Sequence, residues 1–324
     1  MTDLYLTIDT EYSARLYAQG EGACRKVNFA RSIAGEAGKQ AAGIFHQMDE
    51  LDRHGLKAVF FVDPMPALVW GVEALTDVVE PILMRGHDVQ LHLHTEWLAH
   101  AGPANPLGER TGGNMKDFSK DEQERLLACA LTLFEEAGVP RPVAFRAGNY
   151  GANDNTLRAL AAHGLAYDTS HCPGIPDGDC AIGLGPEDRL PVRHCGVIEG
   201  PVGSIAAPRG GQRHAQITAV SAEEMIAAII HARDRGQENF TIVSHSFELL
   251  CRSRLRINRV LRCRFRLFCK RLAALSGVRT ATYAGSPPRV VSAGATASLL
   301  PHDRLREARR MIAQAASNML YGAR

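Results

Sequence analysis

The sequence predicts an α/β protein built on a parallel β-sheet. Strand-length apolar segments alternate with longer segments of helical periodicity roughly six or seven times along the chain. Several strand segments, such as "KAVFFVD" at 57–63, are apolar almost throughout, so both of their faces must be buried, as in a parallel sheet covered by helices. This number of units favours a closed, TIM-like barrel over an open sheet.

The elements of the first third follow from periodicity and from glycine stops. The first strand is predicted at 3–9, where "DLYLTID" alternates apolar and polar residues. A helix is predicted at 36–55, because apolar residues recur there at helical spacing and Gly55 ends the pattern. The same signals delimit three further elements: a strand at 57–63, a helix at 67–85 and a strand at 87–94.

Later elements are marked by capping residues. Ser119 and Glu122 form a capping box for a helix to about residue 137, and Ser221 and Glu224 do so for a helix to about residue 235. A Gly/Pro-rich stretch at 100–118 is predicted to be a lid or binding loop. The remaining predictions are strands at 143–148, 165–170, 240–245 and 279–283, helices at 153–163 and 248–275, and short strand-like pieces within 171–220.

The helical and strand patterns predict the domain organisation. We expect one barrel domain at 1–284, which includes the basic helix at 248–275. Beyond it the pattern weakens, and "GSPPRVVSAGATAS" has the composition of a linker. Residues 285–324 are therefore predicted to be a linker with a C-terminal helix or a disordered tail.

The composition narrows the functional class. Hydrophobic residues make up 45% of the 324 residues, and the formal net charge of +2 is too small to argue for nucleic acid. None of the eight cysteines forms a C-x-x-C pair, so reduced thiols are expected and a zinc–cysteine site is not. We recognise no secretory signal or apolar stretch of transmembrane length, so a cytoplasmic protein is expected.

Polar or ionisable side chains follow nearly every predicted strand. Parallel α/β folds place functional residues at the carboxyl ends of their strands, so we expect these side chains to meet at one rim. They are Asp9 and Glu11, His92 and His94, Arg146 with Asn149 and Tyr150, Asp168, and His245 between Ser244 and Ser246.

His92 and His94 indicate a metal site. Two residues apart on a strand, they share one face with Cα atoms about 7 Å apart. Two imidazoles with carboxylates from a neighbouring strand match a divalent site of the His/His/carboxylate type. Glu96 follows at a turn and is the alternative to His94 as the third ligand.

Two further charged residues are expected to act near this metal. His245 follows an apolar strand, where a histidine beside a metal can serve as a general acid. Arg146 lies in a strand and would be costly to bury unpaired. Pairing with Asp9 or Asp168 would solve this, and would lower the pKa of a catalytic carboxylate.

Five segments, in this order, resemble the motifs of the NodB-type polysaccharide deacetylases, carbohydrate esterase family 4. They are "TIDTEY", "GHDVQLHLHTEW", "FRAGNYG", "GLAYDTS" and "IVSHSFEL", and they span roughly residues 3–250. The sequences of the second and fifth segments are most similar to the WalW-like branch of lipopolysaccharide biosynthesis. The resemblance implies a distorted (β/α)7 barrel and a hydrolase that removes an N-acetyl, sometimes an O-acetyl, group from a sugar.

The resemblance also implies catalytic roles at the matching positions. Asp9 matches the base that takes a proton from water, and Arg146 matches the arginine that orients this base. Asp168 matches the carboxylate that tunes the catalytic pair. His245 matches the acid that protonates the departing amine.

Metal and substrate residues are implied in the same way. The family's metal aspartate directly follows its base, where this chain has Thr10, so Glu11 is the expected carboxylate ligand. The second metal histidine of the family lies four residues after the first, where this chain has Glu96. The expected ligands are Glu11, His92 and His94, the ion is expected to be Zn²⁺, with nickel, cobalt or iron also suitable, and the expected substrate contacts are Asn149, Tyr150 and Trp97.

A basic segment at 251–272 carries nine lysines and arginines. It is interpreted first as a helix packed on the barrel with a solvated basic face. The alternative is attraction to an anionic membrane, which would make the protein peripheral to an inner membrane, or to a lipid- or nucleotide-linked glycan. Few aromatic residues are interleaved, so nucleic acid is not an expected partner.

Three functional hypotheses remain. The first is the metal-dependent sugar N-deacetylase, and the second is a hydrolase of cyclic amides such as allantoin, from a side branch of the same superfamily. The third is a non-catalytic glycan-binding relative. The presence of Asp9, Arg146 and His245 together argues against the third hypothesis.

Overall fold

The computed structural model describes residues 1–251, 255–290 and 297–322. Its strands are β1 Thr2–Thr10, β2 Glu36–Ala37, β3 Gln40–Ala41, β4 Val59–Val62, β5 Asp88–Leu93, β6 Ala144–Ala147, β7 Tyr167–Asp168, β8 Val192–His194, β9 Val197–Glu199, β10 Ser204–Ala206, β11 Gln212–His214, β12 Asn239–His245, β13 Leu250–Cys251, β14 Arg256–Ile257 and β15 Val278–Thr280. Its α-helices are α1 Ala14–Ala18, α2 Arg25–Ser32, α3 Ile44–Arg53, α4 Ala67–Trp70, α5 Glu73–Met84, α6 Lys120–Glu136, α7 Asp154–Ala162, α8 Ala222–Asp234, α9 Arg259–Leu272 and α10 Arg304–Tyr321.

The chain forms two compact units. The first comprises Met1–Ala58, Gly203–Ala281 and Ala297–Arg324, and the second comprises Val59–Val202 and Thr282–Thr296. Parallel strands alternate with helices in both, so the predicted α/β class is confirmed. The predicted boundary between 1–284 and 285–324 stays a prediction.

The first unit is built around β1. This strand pairs in parallel with β12 on one side and with β15 on the other. Leu4, Leu6 and Ile8 are fully buried, which explains why this segment forms a central strand. The register aligns Asp9 with His245, so the two ionisable residues leave the carboxyl ends of neighbouring strands together.

Helices cover this unit. Helix α9 packs against α3, α8 and α10, and burial of Leu261, Phe265, Phe268 and Leu272 explains its helical apolar spacing. Both predicted capping boxes are present, at Ser221 here and at Ser119 in the second unit.

The second unit contains a sheet in the order β4-β5-β6-β7-β9-β8, which is parallel except for the edge strand β8. His92 is aligned with Arg146. Asp168 is aligned with Phe145 on one side and with Glu199 on the other. The strand ends of this sheet therefore bring three of the predicted site residues, and one unpredicted carboxyl group, close together.

Two predicted helices are shorter than the sequence indicated, and a third is divided in two. The segment 36–55 is helical only from Ile44, because Gly35 and Gly38 adopt left-handed φ of +62° and β2 turns back onto β3. Gly71, with φ +83°, divides the predicted helix 67–85 into α4 and α5. The predicted helix 248–275 begins only at 259, because β13 pairs with β14 before it; residues 252–254 lie outside the described residues.

The C-terminal region contains the predicted helix, as α10. Residues 291–296 of the predicted linker and the last two residues of the chain are outside the described part. Among the helices in the described ranges, none has the length and apolar character needed to cross a bilayer.

Candidate active site

In the first unit, Asp9 and His245 lie within ion-pair distance of each other at the ends of β1 and β12. Asp9 is 3% exposed, and its Oδ2 lies 3.8 Å from Nε2 of His245. The N–H of Ser246 donates to the carbonyl of Asp9 over 2.9 Å. The parallel register and this hydrogen bond hold the two side chains side by side.

His245 is charged at neutral pH because of a third residue, Glu248. The Nδ1 of His245 lies 3.1 Å from Oε1 of Glu248. Burial lowers the pKa of His245, but the hydrogen bond and charge of Glu248, with the charges of Asp9 and Glu11, outweigh it and raise the pKa to about 9. The imidazolium can therefore donate a proton from Nε2.

Glu248 is a candidate site residue that the sequence analysis did not identify. Its Oε1 accepts hydrogen bonds from Gln216 and from Thr218 (3.2 Å), and its Oε2 accepts from Ser244 over 3.1 Å. These donors hold the carboxylate in place beside the imidazole. Its position three residues after His245, in "SHSFEL", was the one available signal.

In the second unit, His92 and His94 lie together on β5 and the turn after it. They are 2% and 8% exposed, their ring centroids are 4.8 Å apart, and one nitrogen of each lies within 4.8 Å of the other. Nδ1 of His92 lies 2.7 Å from the carbonyl of Arg146, and Nδ1 of His94 lies 2.9 Å from Oε2 of Glu96. A carbonyl or carboxylate oxygen accepts, so Nδ1 carries the hydrogen and Nε2 has the lone pair in each neutral ring.

The ring of His94 is seated against Gly148. A Cβ at Gly148 would lie 2.7–2.8 Å from three ring atoms of His94. The backbone N–H of His94 also contacts Oδ1 of Asp63 at 3.4 Å. Close approach of a histidine ring thus explains why glycine follows β6 in "FRAGNYG".

Arg146 is fully buried on β6. It donates from Nε to the carbonyl of Thr169 over 3.1 Å and from Nη2 to the hydroxyl of Thr169 over 3.3 Å. Its guanidinium lies 4.6 Å from the ring centroid of Phe61. The charge of Arg146 also acts on Asp168, where it lowers the pKa against the larger effect of burial.

Asp168 shares a buried environment with Glu199, a residue the sequence analysis did not identify. Both are fully buried, and burial raises the pKa of each, further for Glu199, which also faces the charge of Asp168. Ser170 donates to Asp168 from its N–H and hydroxyl, over 3.0 and 2.9 Å. The N–H of His171 donates to Glu199 over 3.0 Å. Burial and the neighbouring charge of Asp168 therefore favour the protonated form of Glu199.

The predicted substrate residues differ in exposure. Asn149 is exposed and Tyr150 is partly exposed, and both have left-handed φ, 55° and 58°, which is costly for residues other than glycine and is often found at functional sites. Trp97 is fully buried and packs edge-on against Trp70. Packing accounts for Trp97, and its contact with a substrate stays a prediction.

Each unit thus gathers part of the predicted chemistry. The first holds Asp9 with His245, and the charge of Glu11 acts on this histidine. The second holds the two histidines, with Arg146 beside Asp168. The donor chemistry of the two histidines fits a divalent ion, because each Nδ1 is oriented by an oxygen, as is usual for metal-binding histidines.

Comparisons with known proteins extend this picture at the level of fold. No family model and no curated protein matches the sequence. Solved structures do match. An inferred polysaccharide deacetylase from Mycobacterium smegmatis has a TM-score of 0.54 at 17% identity, over 91% of this chain and 95% of that one.

Two further solved structures are similar over most of this chain. A 4-alpha-glucanotransferase from Thermococcus litoralis has a TM-score of 0.50 at 9% identity, over 87% of this chain and 39% of that one. A family 4 carbohydrate esterase from Streptomyces lividans, in complex with acetate, is 12% identical over 92% of this chain and 98% of that one, with a TM-score of 0.43. The first two likenesses establish a shared α/β fold.

Proposed function

We propose that this protein is a metal-dependent hydrolase that removes an N-acetyl group from a sugar or glycan precursor. The observation that carries the proposal is the buried pair His92 and His94, each with Nδ1 hydrogen-bonded to an oxygen. The five sequence motifs and the fold shared with the Mycobacterium smegmatis protein support it. The distorted (β/α)7 barrel and the WalW-like branch belong to the same proposal.

The proposed ligands are Glu11, His92 and His94, as the resemblance implies. A divalent ion, with zinc favoured, would polarise the acetyl carbonyl and acidify water. Glu96 is the alternative to His94 as third ligand, and its carboxylate accepts a hydrogen bond from Nδ1 of His94. We propose that it orients this histidine while the lone pair on Nε2 faces the ion.

The remaining residues would move protons and hold the substrate. Asp9 takes the proton from the attacking water, and His245, charged because of Glu248, gives its Nε2 proton to the departing nitrogen. Arg146 orients the base, and Asp168 tunes the pair. Asn149 and Tyr150, in the strained turn after β6, contact the sugar. A contact of Trp97 with the substrate belongs to the same proposal.

The substrate and the compartment are proposed from chemistry alone. The exposed basic face of α9, with Arg259, Arg266, Lys270 and Arg271, suits a lipid- or nucleotide-linked glycan or an anionic membrane surface. A cytoplasmic enzyme, peripheral to the inner membrane, that acts on a precursor before export fits this surface.

The test combines metal analysis with acetate release. Purified protein is analysed for divalent ions and then offered a panel of N-acetylated sugar nucleotides and glycosides. We expect bound metal, acetate release that EDTA abolishes, and an Asp9→Asn variant that keeps metal but loses about 10²–10⁴-fold in rate. His92→Ala should lose metal and activity together, whereas His54→Ala, at the end of α3, should change neither.

Three outcomes would contradict this proposal. If the purified protein contains no metal and EDTA does not change its release of acetate, the metal mechanism is excluded. Hydrolysis of allantoin, with no acetate released from any sugar, would favour the cyclic-amide hydrolase. Tight glycan binding without turnover would favour a non-catalytic relative.

A further inference from the structure

Three metal-ligating side chains meet in the second unit, away from the residues assigned above. They are Asp154, the first residue of α7, and His194 and Cys195, at the turn between β8 and β9. One ligand atom of each lies within 4.8 Å of the others. Nε2 of His194 is 2.9 Å from Oδ1 of Asp154, and the thiol of Cys195 hydrogen-bonds to the same carboxylate.

The backbone around this cluster holds the three groups in place. Cys195 and Gly196 form the two-residue turn of the hairpin, with φ of +47° and +97°. Such turns favour asparagine, aspartate or glycine at their first position, so a cysteine there is strained. A Cβ at Gly196 would lie 2.9 Å from that of Ala161 on α7. The N–H of Gly183 donates to Oδ1 of Asp154 over 2.8 Å and fixes the carboxylate from a third direction.

From this geometry we propose that Asp154, His194 and Cys195 bind a divalent zinc-type ion, separate from the proposed catalytic metal. A thiolate, an imidazole and a carboxylate are all ligands of Zn²⁺, and three protein ligands leave the fourth tetrahedral position to water. The side chains of His194 and Asp154 are 24% and 33% exposed, so an ion can reach them from solvent.

The position of the cluster suggests what the ion would do. It would join the β8–β9 hairpin to the first turn of α7. Strand β9 ends in Glu199, aligned with Asp168 on β7. The ion would therefore stabilise β9, the strand that carries Glu199 of the buried Asp168–Glu199 pair.

A cobalt titration tests this proposal because it reports sulfur directly. Co²⁺ bound by a thiolate gives a sulfur-to-cobalt charge-transfer absorption, and the ligands proposed for the catalytic metal include no cysteine. We expect the wild-type protein to develop this band. Cys195→Ser should abolish it, and His194→Ala should weaken Co²⁺ binding by more than the roughly 10- to 100-fold that the loss of a ligand's supporting partner costs.

Matched variants separate this site from other thiols and from the catalytic metal. Cys263→Ser, at an exposed cysteine of α9, and His92→Ala should both keep the band. Cys195→Gly removes the sulfur at a position where glycine relieves the left-handed strain. It should fold at least as stably as metal-free wild-type protein and show no band. A wild-type protein without the band, or a band that survives Cys195→Ser, would overturn the proposal.

Discussion

At the scale of single residues, the charge of His245 depends on Glu248. Burial alone would lower the pKa of this histidine, and the carboxylate 3.1 Å from Nδ1 reverses the effect. Glu248→Gln keeps an oxygen acceptor but removes the charge. We expect the pKa of His245 to fall from about 9 by roughly 1–3 units, as measured by NMR titration of its ring protons.

The control for this titration is Glu223→Gln. The side chain of Glu223 on α8 is 41% exposed and pairs with Arg309 over 3.1 Å, so its loss should leave the titration of His245 unchanged. If His245 titrates in Glu248→Gln as it does in wild-type protein, Glu248 does not set its charge.

The residues of the site divide into those that the sequence could predict and those that it could not. Asp9 and His92 could be found because parallel sheets place functional groups at their strand ends. Their supporting partners could not. Glu199 lies on a three-residue strand in a Gly/Pro-rich stretch, and Gly148 matters only because a histidine ring from another strand approaches it. Such contacts follow from tertiary packing and leave no periodic signal.

At the scale of secondary-structure elements, glycine and pairing explain the corrected helix boundaries. Helices α6 and α8 could be predicted well because each begins with a capping box. The segment before α3 has helical spacing, yet it cannot begin a helix early. A Cβ at Gly43 would lie 2.0 Å from the carbonyl of Ile33, so tertiary contact overrides local propensity there.

The basic residues of helix α9 lie in two environments, buried and exposed, and Arg264 is a buried one. Arg264 is 6% exposed, and its Nη1 donates to three carbonyls just before α8, those of Ile217 (2.8 Å), Thr218 (3.3 Å) and Val220 (3.1 Å). Arg264→Met would leave these oxygens without their charged donor. We expect it to lower the free energy of unfolding by about 2–4 kcal/mol in urea denaturation.

Arg266 on the same helix is the matched comparison. Its side chain is 55% exposed and contacts Glu50 at 3.2 Å, so Arg266→Met should cost less than about 1 kcal/mol. Equal costs for the two substitutions would show that Arg264 has no anchoring role.

At the scale of the whole molecule, the α/β class could be predicted, but the division of the chain could not. Strand β1 pairs with β12 and β15, both from the last third of the chain. Periodicity identifies strands and says nothing about which distant strands pair. The first unit is therefore assembled from three separate stretches of sequence, and the sequence showed only an unbroken alternation of elements.

The buried titratable groups make the whole protein less stable as the pH rises. His245 has a folded pKa of about 9 against an unfolded value of about 6.5. Its contribution is therefore fully present below about pH 6.5 and is lost as the pH rises to about 9. The Asp168–Glu199 pair also has raised pKa values, so the folded state keeps a proton that the unfolded chain releases above about pH 4.5. The stability that this pair contributes is therefore lost at a lower pH than the contribution of His245.

Urea unfolding of metal-free protein across this pH range should reveal both effects. We expect the free energy of unfolding to fall between about pH 6.5 and 9 by on the order of 3 kcal/mol from His245 alone. Glu248→Gln should flatten this part of the curve, because the variant histidine titrates near its unfolded value. Glu199→Gln should instead flatten the part that begins at about pH 4.5, because glutamine holds no proton to lose. Stability that is independent of pH in the wild-type protein, or slopes that neither substitution changes, would contradict the assignment of these protons.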